Sequence, residues 1–278
     1  MPMADANDVT LCYEVFGRHG EPTIVLIRGL GTQLIEWPQA LIAGLVQEGL
    51  QVVVLDNRDA GLSSEMKSSS GDPPYRLEDM ANDVVGLLDH LRVERAHILG
   101  ISMGGMIAQH VAIEHADRAR SLISVMSSTG NPDLPMPAPE MRARLVESAD
   151  TPDALIELNA ANRVAFGSPA YPESLDERSS AARAAHQRSY RPDGVARQMR
   201  AVVADGSRVE RLRALRVPTL VIHGADDPLI SVAAGRDTAA VIPGARLEIV
   251  PGMGHNIPNA LAPRIVELVV GFVGDVPN

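Results

Sequence analysis

Short apolar runs alternate with longer amphipathic stretches along most of the chain. The runs at 23–27 (TIVLI), 51–56 (QVVVLD) and 96–100 (AHILG) are rich in aliphatic residues with almost no polar interruption. Such runs are typical of strands that are buried on both faces of a sheet. Further strand-like runs are found at 11–17, 121–125, 219–224 and 246–250.

Between several of these runs, apolar side chains recur at three- and four-residue spacing. This spacing predicts amphipathic helices over 77–91 and 103–115, and a final helix over 258–273 that opens with a proline. Strands that alternate with helices are typical of βαβ crossovers. The pattern therefore predicts an α/β fold with a mostly parallel sheet flanked by helices.

The alternation stops between about 130 and 210, where the sequence contains no convincing strand. This segment opens with the proline-rich GNPDLPMPAPE and continues with helical patterns such as PDALIELNAANRVAF. Because a structureless loop of this length is rare in a compact domain, we expect a helical insertion that covers one edge of the sheet. The predicted division is a core of residues 1–129 and 211–278 with a helical cap, or lid, at 130–210.

Composition and charge exclude several classes of function. The net charge of −10 argues against nucleic acid as a partner, because phosphate binding needs a basic face. Cys12 is the only cysteine, so an intrachain disulfide and a cysteine-based metal site are excluded. No apolar run approaches the roughly 20 residues of a membrane span, and the first residues lack the pattern of a secretory signal. We therefore expect a cytoplasmic protein with no membrane partner.

The first candidate for chemistry is the serine in HILGISMGG, at the junction of a predicted strand and a predicted helix. A sharp turn at such a junction leaves no room for large neighbours, and Gly100 and Gly104 supply the space. The turn would raise the hydroxyl of Ser102 above the sheet at a helix N-terminus, where developing negative charge is favoured. This strand–turn–helix context predicts a nucleophile elbow.

A serine nucleophile needs a general base, and His255 is the best placed of the eight histidines. It follows the last predicted strand in the glycine-rich loop VPGMGHNIP, at the sheet edge where ligands bind in open α/β folds. His110 and His115 fall on the predicted helix after the serine, and His223 ends a strand, so helix-surface or packing roles are expected for them.

These motifs together resemble the α/β-hydrolase superfamily, in its serine esterase branch. GISMG matches that family's elbow, and the segments GLGTQLIEWP, DNRDAGLSS and PGMGH are similar to bacterial carboxylesterases and anthracycline methylesterases. The resemblance covers nearly the whole chain. It implies an α/β-hydrolase fold and a triad in the chain order serine, acid, histidine, with no metal and no organic cofactor.

The acid of that triad falls in HGADDPLIS, which offers Asp226 and Asp227. Residue chemistry alone does not choose between the two carboxylates. The resemblance implies Asp227, because the family's acid usually lies three residues after the glycine. A metal site at this pair is disfavoured, since neighbouring cysteine or histidine ligands at suitable spacing are lacking.

The oxyanion hole requires two backbone donors. One is expected to be the N–H of Met103, directly after the serine, and the other the N–H of Leu30 in the loop RGLGTQLIEW. The family usually has His-Gly at the position where this chain has Arg28 and Gly29. Because the expected donor is a backbone group, this departure does not by itself remove it. A dinucleotide-binding loop is excluded here, since the third glycine position is Leu34.

The segment LDNRDAGLSS contains charged residues that could be mistaken for catalytic groups. The resemblance implies instead that Asp56, Arg58 and Asp59 form a hydrogen-bonded, ion-paired scaffold near the elbow.

The resulting hypothesis is a carboxylesterase-type serine hydrolase that acts on small to medium acyl or methyl esters through an acyl-enzyme. The same triad also serves carbon–carbon bond hydrolases, lactonases and thioesterases, and a small-molecule receptor with a slow triad is an alternative outside enzymes. A small-molecule ester is the expected partner. The residues that bind the rest of the substrate stay open, as does the oligomeric state, with a homodimer as the commonest case.

Overall fold

A computed structural model describes residues 1–67, 74–145 and 147–276. Its described residues form one eight-stranded sheet with the spatial order β1-β2-β4-β3-β5-β6-β7-β8. The first two strands pair antiparallel, β2 also runs antiparallel to β4, and every later pairing is parallel. The strands are β1 Met3–Ala6, β2 Val9–Phe16, β3 Thr23–Ile27, β4 Gln51–Leu55, β5 Ala96–Ile101, β6 Ala119–Val125, β7 Thr219–Gly224 and β8 Arg246–Val250. The predicted α/β class with a mostly parallel sheet is confirmed.

Helices connect the strands, and those of the core cover both faces of the sheet. A 3-10 helix at Leu34–Glu36 precedes the first α-helix. The α-helices are α1 Gln39–Gln47, α2 Leu77–His90, α3 Met103–Glu114, α4 Pro139–Arg144, α5 Pro152–Ala165, α6 Leu175–Arg188, α7 Pro192–Asp205, α8 Val209–Arg213, α9 Val232–Val241 and α10 Ala262–Gly274.

Two apolar layers account for the uninterrupted hydrophobic runs of the central strands. Alternate residues point to opposite faces of a strand. Val25 and Ile27 therefore pack with α2 and α3, whereas Ile24 and Leu26 pack with α1 and α10. All five residues of β3 are buried, so the strand has no position where a polar side chain would reach water.

The predicted cap, residues 130–210, lies between β6 and β7 and contains α4 to α7 and the start of α8. Local sequence signals explain its helix starts. Proline occupies the first turn of α4, α5 and α7, and Ser174 with Glu177 forms a capping box at the start of α6. The functional division into core and lid stays a prediction.

The last predicted helix begins later than expected. Periodicity placed its start at 258, whereas α10 begins at Ala262, because the residues after Pro258 form a turn before the helix. No helix within the described ranges has both the length and the apolarity needed to cross a bilayer.

Candidate active site

Ser102 occupies the sharp turn between β5 and α3, with φ 54° and ψ −123°. A non-glycine residue with positive φ is strained, so the surrounding structure must hold it in place. A Cβ atom at Gly100 would overlap the carbonyl oxygen of Gly104, and one at Gly104 would overlap the carbonyl oxygen of Ile27. These glycines let the turn and the start of α3 pack directly against the sheet. The Ser127 hydroxyl also supports the turn by donating to the Ser102 carbonyl oxygen at 2.8 Å.

His255 lies in the loop after β8 and reaches Ser102 across the end of the sheet. Its Nε2 atom is 2.9 Å from the Ser102 Oγ, and its Nδ1 atom is 2.7 Å from Oδ2 of Asp227. The His255 amide donates to the carbonyl oxygen of Phe166, at the end of α5, at 2.7 Å. The predicted cap thus holds the backbone that carries this imidazole.

The two neighbouring aspartates after β7 have different partners. Asp227 faces His255, and its second oxygen accepts the amides of Leu229 and Ile230, both at 2.8 Å. Asp226 accepts the Gly252 amide at 2.9 Å and makes no contact with the imidazole among the described hydrogen bonds. The structure therefore brings Asp227, and not Asp226, together with Ser102 and His255.

The environment of Asp227 sets the protonation of this chain of hydrogen bonds. Burial acts to raise the pKa of Asp227, but the adjacent His255 and the Ile230 amide outweigh it, so the pKa lies below its ordinary value. An ionised carboxylate can only accept, so His255 must carry its proton on Nδ1. In the neutral imidazole, Nε2 then has a free lone pair and accepts a hydrogen bond from the Ser102 hydroxyl. The buried His223 lies behind this pair, donates through Nε2 to the Ile230 carbonyl oxygen at 2.8 Å, and is held neutral because burial lowers its pKa.

The loop from Arg28 to Trp37 passes directly over Ser102. A Cβ atom at Gly29 would lie 3.2 Å from the Cβ of Ser102, a tighter contact than most Cβ atoms make, so glycine allows the loop to pass close to the serine. Most amides of the loop already have acceptors, whereas those of Leu30 and Met103 have none among the described hydrogen bonds. The occupied amides are those of Gly31 on Gln198, Thr32 on Gly29, Gln33 on Glu36 and Leu34 on Asp56.

Arg28 occupies the position where the family usually has histidine, and its side chain supports this loop through contacts with other loop residues. Its Nε donates to the Thr32 hydroxyl and its Nη1 to the Glu36 carbonyl oxygen, each at 3.2 Å. The guanidinium also lies 5.0 Å from the centre of the buried Trp37 ring. Burial lowers the pKa of Arg28 to about 10, so the group is still positively charged at neutral pH. Arg28 thus holds the loop through Thr32, Glu36 and Trp37.

The charged residues of DNRDAGLSS form a scaffold that extends to the predicted cap. Asp56 accepts the Leu34 amide at 2.7 Å and pairs with Arg188 of α6 at 2.7 Å. Asp59 pairs in bidentate fashion with Arg197 of α7, at 2.8 and 2.9 Å. None of these carboxylates reaches Ser102 or His255 among the described contacts, which fits the structural role expected from the sequence.

Several residues around this site gave no usable sequence signal. Gln198 of α7 binds the loop next to Leu30, and Phe166 holds the His255 amide. Ser168 accepts the Gly254 amide at 3.0 Å and donates to Asn256 at 2.6 Å. All of these except Asn256 belong to the predicted cap, where sequence reasoning identified helices but no contacts.

One group of side chains in the described part of the chain could converge on a metal ion: Glu78, His110 and Glu114. Arg211 already bridges the two glutamates, at 3.5 Å from Glu78 and 2.5 Å from Glu114. Its positive charge opposes a second cation at the same place. The group shares no described contact with Ser102 or His255.

Comparisons with known proteins agree with this architecture. The family described as alpha/beta hydrolase fold matches residues 22–258. The chain is 32% identical over 246 residues to 3-oxoadipate enol-lactonase 2 of Acinetobacter baylyi, covering 88% of this chain and 86% of that protein. It is 27% identical to rhodomycin D methylesterase of Streptomyces peucetius, covering 93% of each.

Among solved structures, the enol-lactonase from Burkholderia xenovorans aligns with a TM-score of 0.80 and 28% identity. That alignment covers 99% of this chain and 100% of that one. The resemblance noted in the sequence is therefore confirmed, because the family match spans most of the chain and the two relatives align over 86% and 93% of their own length. The chain belongs to the alpha/beta hydrolase fold family, in its esterase branch.

Proposed function

We propose that this protein is a serine carboxylic ester hydrolase in which Ser102, His255 and Asp227 form the catalytic triad. The observation that carries the proposal is the continuous chain of hydrogen bonds from Ser102 Oγ through the imidazole to Asp227, at 2.9 and 2.7 Å. These distances fall within hydrogen-bond reach of a nucleophile and its general base. The reaction needs no group beyond this chain's own residues, an ester and water.

In this mechanism, Ser102 Oγ attacks the ester carbonyl carbon while His255 Nε2 takes the hydroxyl proton. The tetrahedral intermediate collapses when His255 returns that proton to the leaving alcohol, which leaves an acyl-enzyme on Ser102. A water molecule then attacks the acyl carbon while His255 takes its proton, and His255 returns that proton to Ser102 Oγ as the bond from Oγ to the acyl carbon breaks and the acid leaves. Asp227 keeps His255 in the productive tautomer and stabilises its charged form.

The negative charge on the carbonyl oxygen would be stabilised by the N–H groups of Leu30 and Met103. The support for this pair is the hydrogen bonding of the loop, since the amides from Gly31 to Leu34 are already engaged by protein acceptors. Met103 is the first residue of α3, so its amide has no acceptor within the helix. The positive end of the α3 dipole adds to the stabilisation.

A second candidate is lactone hydrolysis, which is an ester cleavage within a ring. It is favoured by the names of two similar proteins, both enol-lactonases. The same residues would act in the same order, but the leaving alcohol would stay attached to the acyl group. The two candidates therefore differ in substrate and share the triad.

The test is steady-state hydrolysis of p-nitrophenyl esters of increasing acyl length and of simple aliphatic lactones. Replacement Ser102→Ala should lower kcat/KM by about a thousandfold or more, because the nucleophile is lost. Ser180→Ala, on the exposed face of α6, is the matched control and should retain wild-type rates. Equal rates for wild type and Ser102→Ala would remove the proposal. The ratio of lactone to ester turnover decides between the two candidates.

A further inference from the structure

Gln198 is a fully buried amide side chain in helix α7 of the predicted cap, with 0% exposure. Its Oε1 accepts the Gly31 amide at 2.8 Å, and its Nε2 donates to the Arg58 carbonyl oxygen at 2.7 Å. Both partners belong to loops at the end of the core sheet. One side chain of the cap therefore links two core loops, and one of them contains Leu30.

Helix α7 packs closely against Gly31. Gly31 has φ +66°, a conformation that glycine adopts easily, and a Cβ atom there would lie 2.8 Å from a methyl carbon of Val195. Val195 precedes Gln198 by one turn on α7, so the helix covers this amide with one side chain and binds it with the other. Without the Gln198 oxygen, the partly buried Gly31 amide would lose its acceptor, which costs free energy unless the loop moves.

The position of α7 is itself well determined. Arg197 binds Asp59 in bidentate fashion, and Gly194 lies so close to Asp59 that a Cβ atom there would overlap the Asp59 carbonyl oxygen. Arg191, at the start of the helix, donates to the Ser63 carbonyl oxygen at 2.5 Å. Gln198 is thus presented to Gly31 from a helix that several contacts anchor to the core.

We propose that Gln198 is a positioning residue for the oxyanion hole: it orients the Leu30 amide by fixing the neighbouring Gly31. The inference rests on the proposed function. The oxyanion hole is then completed by the cap, because the core supplies the Leu30 and Met103 donors while α7 holds the first of them in place.

The experiment compares Gln198→Met with Arg191→Met on p-nitrophenyl ester hydrolysis. Gln198→Met removes two hydrogen bonds between α7 and the core and Arg191→Met removes one, but only the first variant touches the loop that contains Leu30. In Arg191→Met the bidentate pair of Arg197 with Asp59 still holds α7. Displacement of a catalytic group by about 1 Å can cost about a hundredfold in rate. We expect Gln198→Met to lower kcat by about tenfold to a hundredfold with KM within about threefold, and Arg191→Met to keep kcat within about twofold.

Affinity for phenylboronic acid adds a readout that a loss of stability alone would not change. This inhibitor forms a tetrahedral adduct with a serine hydroxyl, so its binding depends on the oxyanion hole. Its inhibition constant should rise in Gln198→Met in proportion to the loss of kcat/KM. Equal kcat and equal boronic acid affinity in the two variants would overturn the inference, as would a change confined to KM.

Gln198→Glu keeps the inference testable if Gln198→Met does not fold. A protonated glutamic acid preserves both hydrogen bonds, whereas the ionised form repels the Arg58 carbonyl oxygen and the oxyanion. We expect near wild-type kcat at low pH and a loss of kcat relative to wild type as pH rises. A pH profile parallel to wild type would contradict the inference. The proposed function fails separately, through full activity in Ser102→Ala.

Discussion

At the scale of single residues, Asp226 and Asp227 are adjacent in the chain but support different loops. Asp227 accepts from His255 and from two amides of its own turn, which fixes the direction of its carboxylate. Asp226 holds the Gly252 amide in the loop that carries His255. The first is expected to act on the imidazole directly, and the second only on the loop backbone.

Replacement of each aspartate by asparagine separates these roles. Asp227→Asn removes the charge that stabilises the imidazolium and disturbs the tautomer, so kcat/KM for esters should fall about a thousandfold to ten-thousandfold. Asp226→Asn retains an oxygen for Gly252 and should stay within about threefold of wild type. If Asp226→Asn loses more kcat/KM than Asp227→Asn, Asp227 is not the acid of the triad. The measurement is ester turnover with both purified variants at pH 7.5.

At the scale of elements, the junction of β5 and α3 depends on glycine where the backbone segments meet. Gly100 faces the carbonyl of Gly104, and no side chain fits between the strand and the turn. By contrast, Gly271 in α10 has open space around its Cβ position and is exposed. The same substitution should therefore have opposite effects at these two sites.

Gly100→Ala should destabilise the protein by about 3 kcal/mol or more, because overpacking that involves backbone cannot be relieved by a rotamer change. Gly271→Ala should be neutral or stabilise by up to about 1 kcal/mol, since alanine restricts the unfolded chain and favours helix. The free energy of unfolding in urea measures both. If Gly100→Ala unfolds at the wild-type urea concentration, the junction is not packed as described.

Element prediction succeeded where the apolar pattern was long and regular and failed where it was short. The central strands β3 to β5 are mostly aliphatic runs, so burial on both faces is visible in their composition. Strand β1 has only four residues, MADA, and helix α9 is a weakly amphipathic stretch of small residues, so neither carries a clear periodicity. Both form because neighbouring strands and helices pack against them.

At the scale of the whole molecule, buried histidines connect stability to pH. Burial lowers the pKa of His97 to about 4, with Arg120 and Arg95 acting in the same direction. Its unfolded-state pKa is about 6.5. Between these values the unfolded chain binds a proton that the folded protein does not, so stability falls as pH drops through this window. The stabilisation is fully present above about pH 6.5 and is lost by about pH 4.

His97→Gln should therefore reduce the pH dependence of stability. Over the roughly 2.5 pH units of the window, one proton is worth about 3 kcal/mol, and the variant should lose this slope. His19→Gln, in the exposed turn before β3, is the control. Urea unfolding at pH 7, 6, 5 and 4.5 gives the slopes. Parallel curves for wild type and His97→Gln would exclude His97 as the source.

The amino-acid pattern alone predicts the central strands, the elbow at Ser102 and the candidacy of His255, because each depends on properties of a short segment. Continuous burial needs apolar residues, and a tight turn needs glycine. A loop that follows a parallel strand begins at the carboxyl edge of the sheet, where ligands bind. The choice of Asp227 over Asp226 drew on the family resemblance, and only the geometry of the turn around Leu229 and Ile230 orients its carboxylate toward His255.

The contacts between the predicted cap and the core depend on how separate elements pack in three dimensions. Gln198 binds Gly31 across a separation of 167 residues, and Phe166 binds the amide of His255. A glutamine on an amphipathic helix has no local feature that distinguishes a buried link from a solvated surface position. Such contacts follow from how separate elements pack, and a hydrogen bond forms wherever packing brings a donor and an acceptor into a site without water.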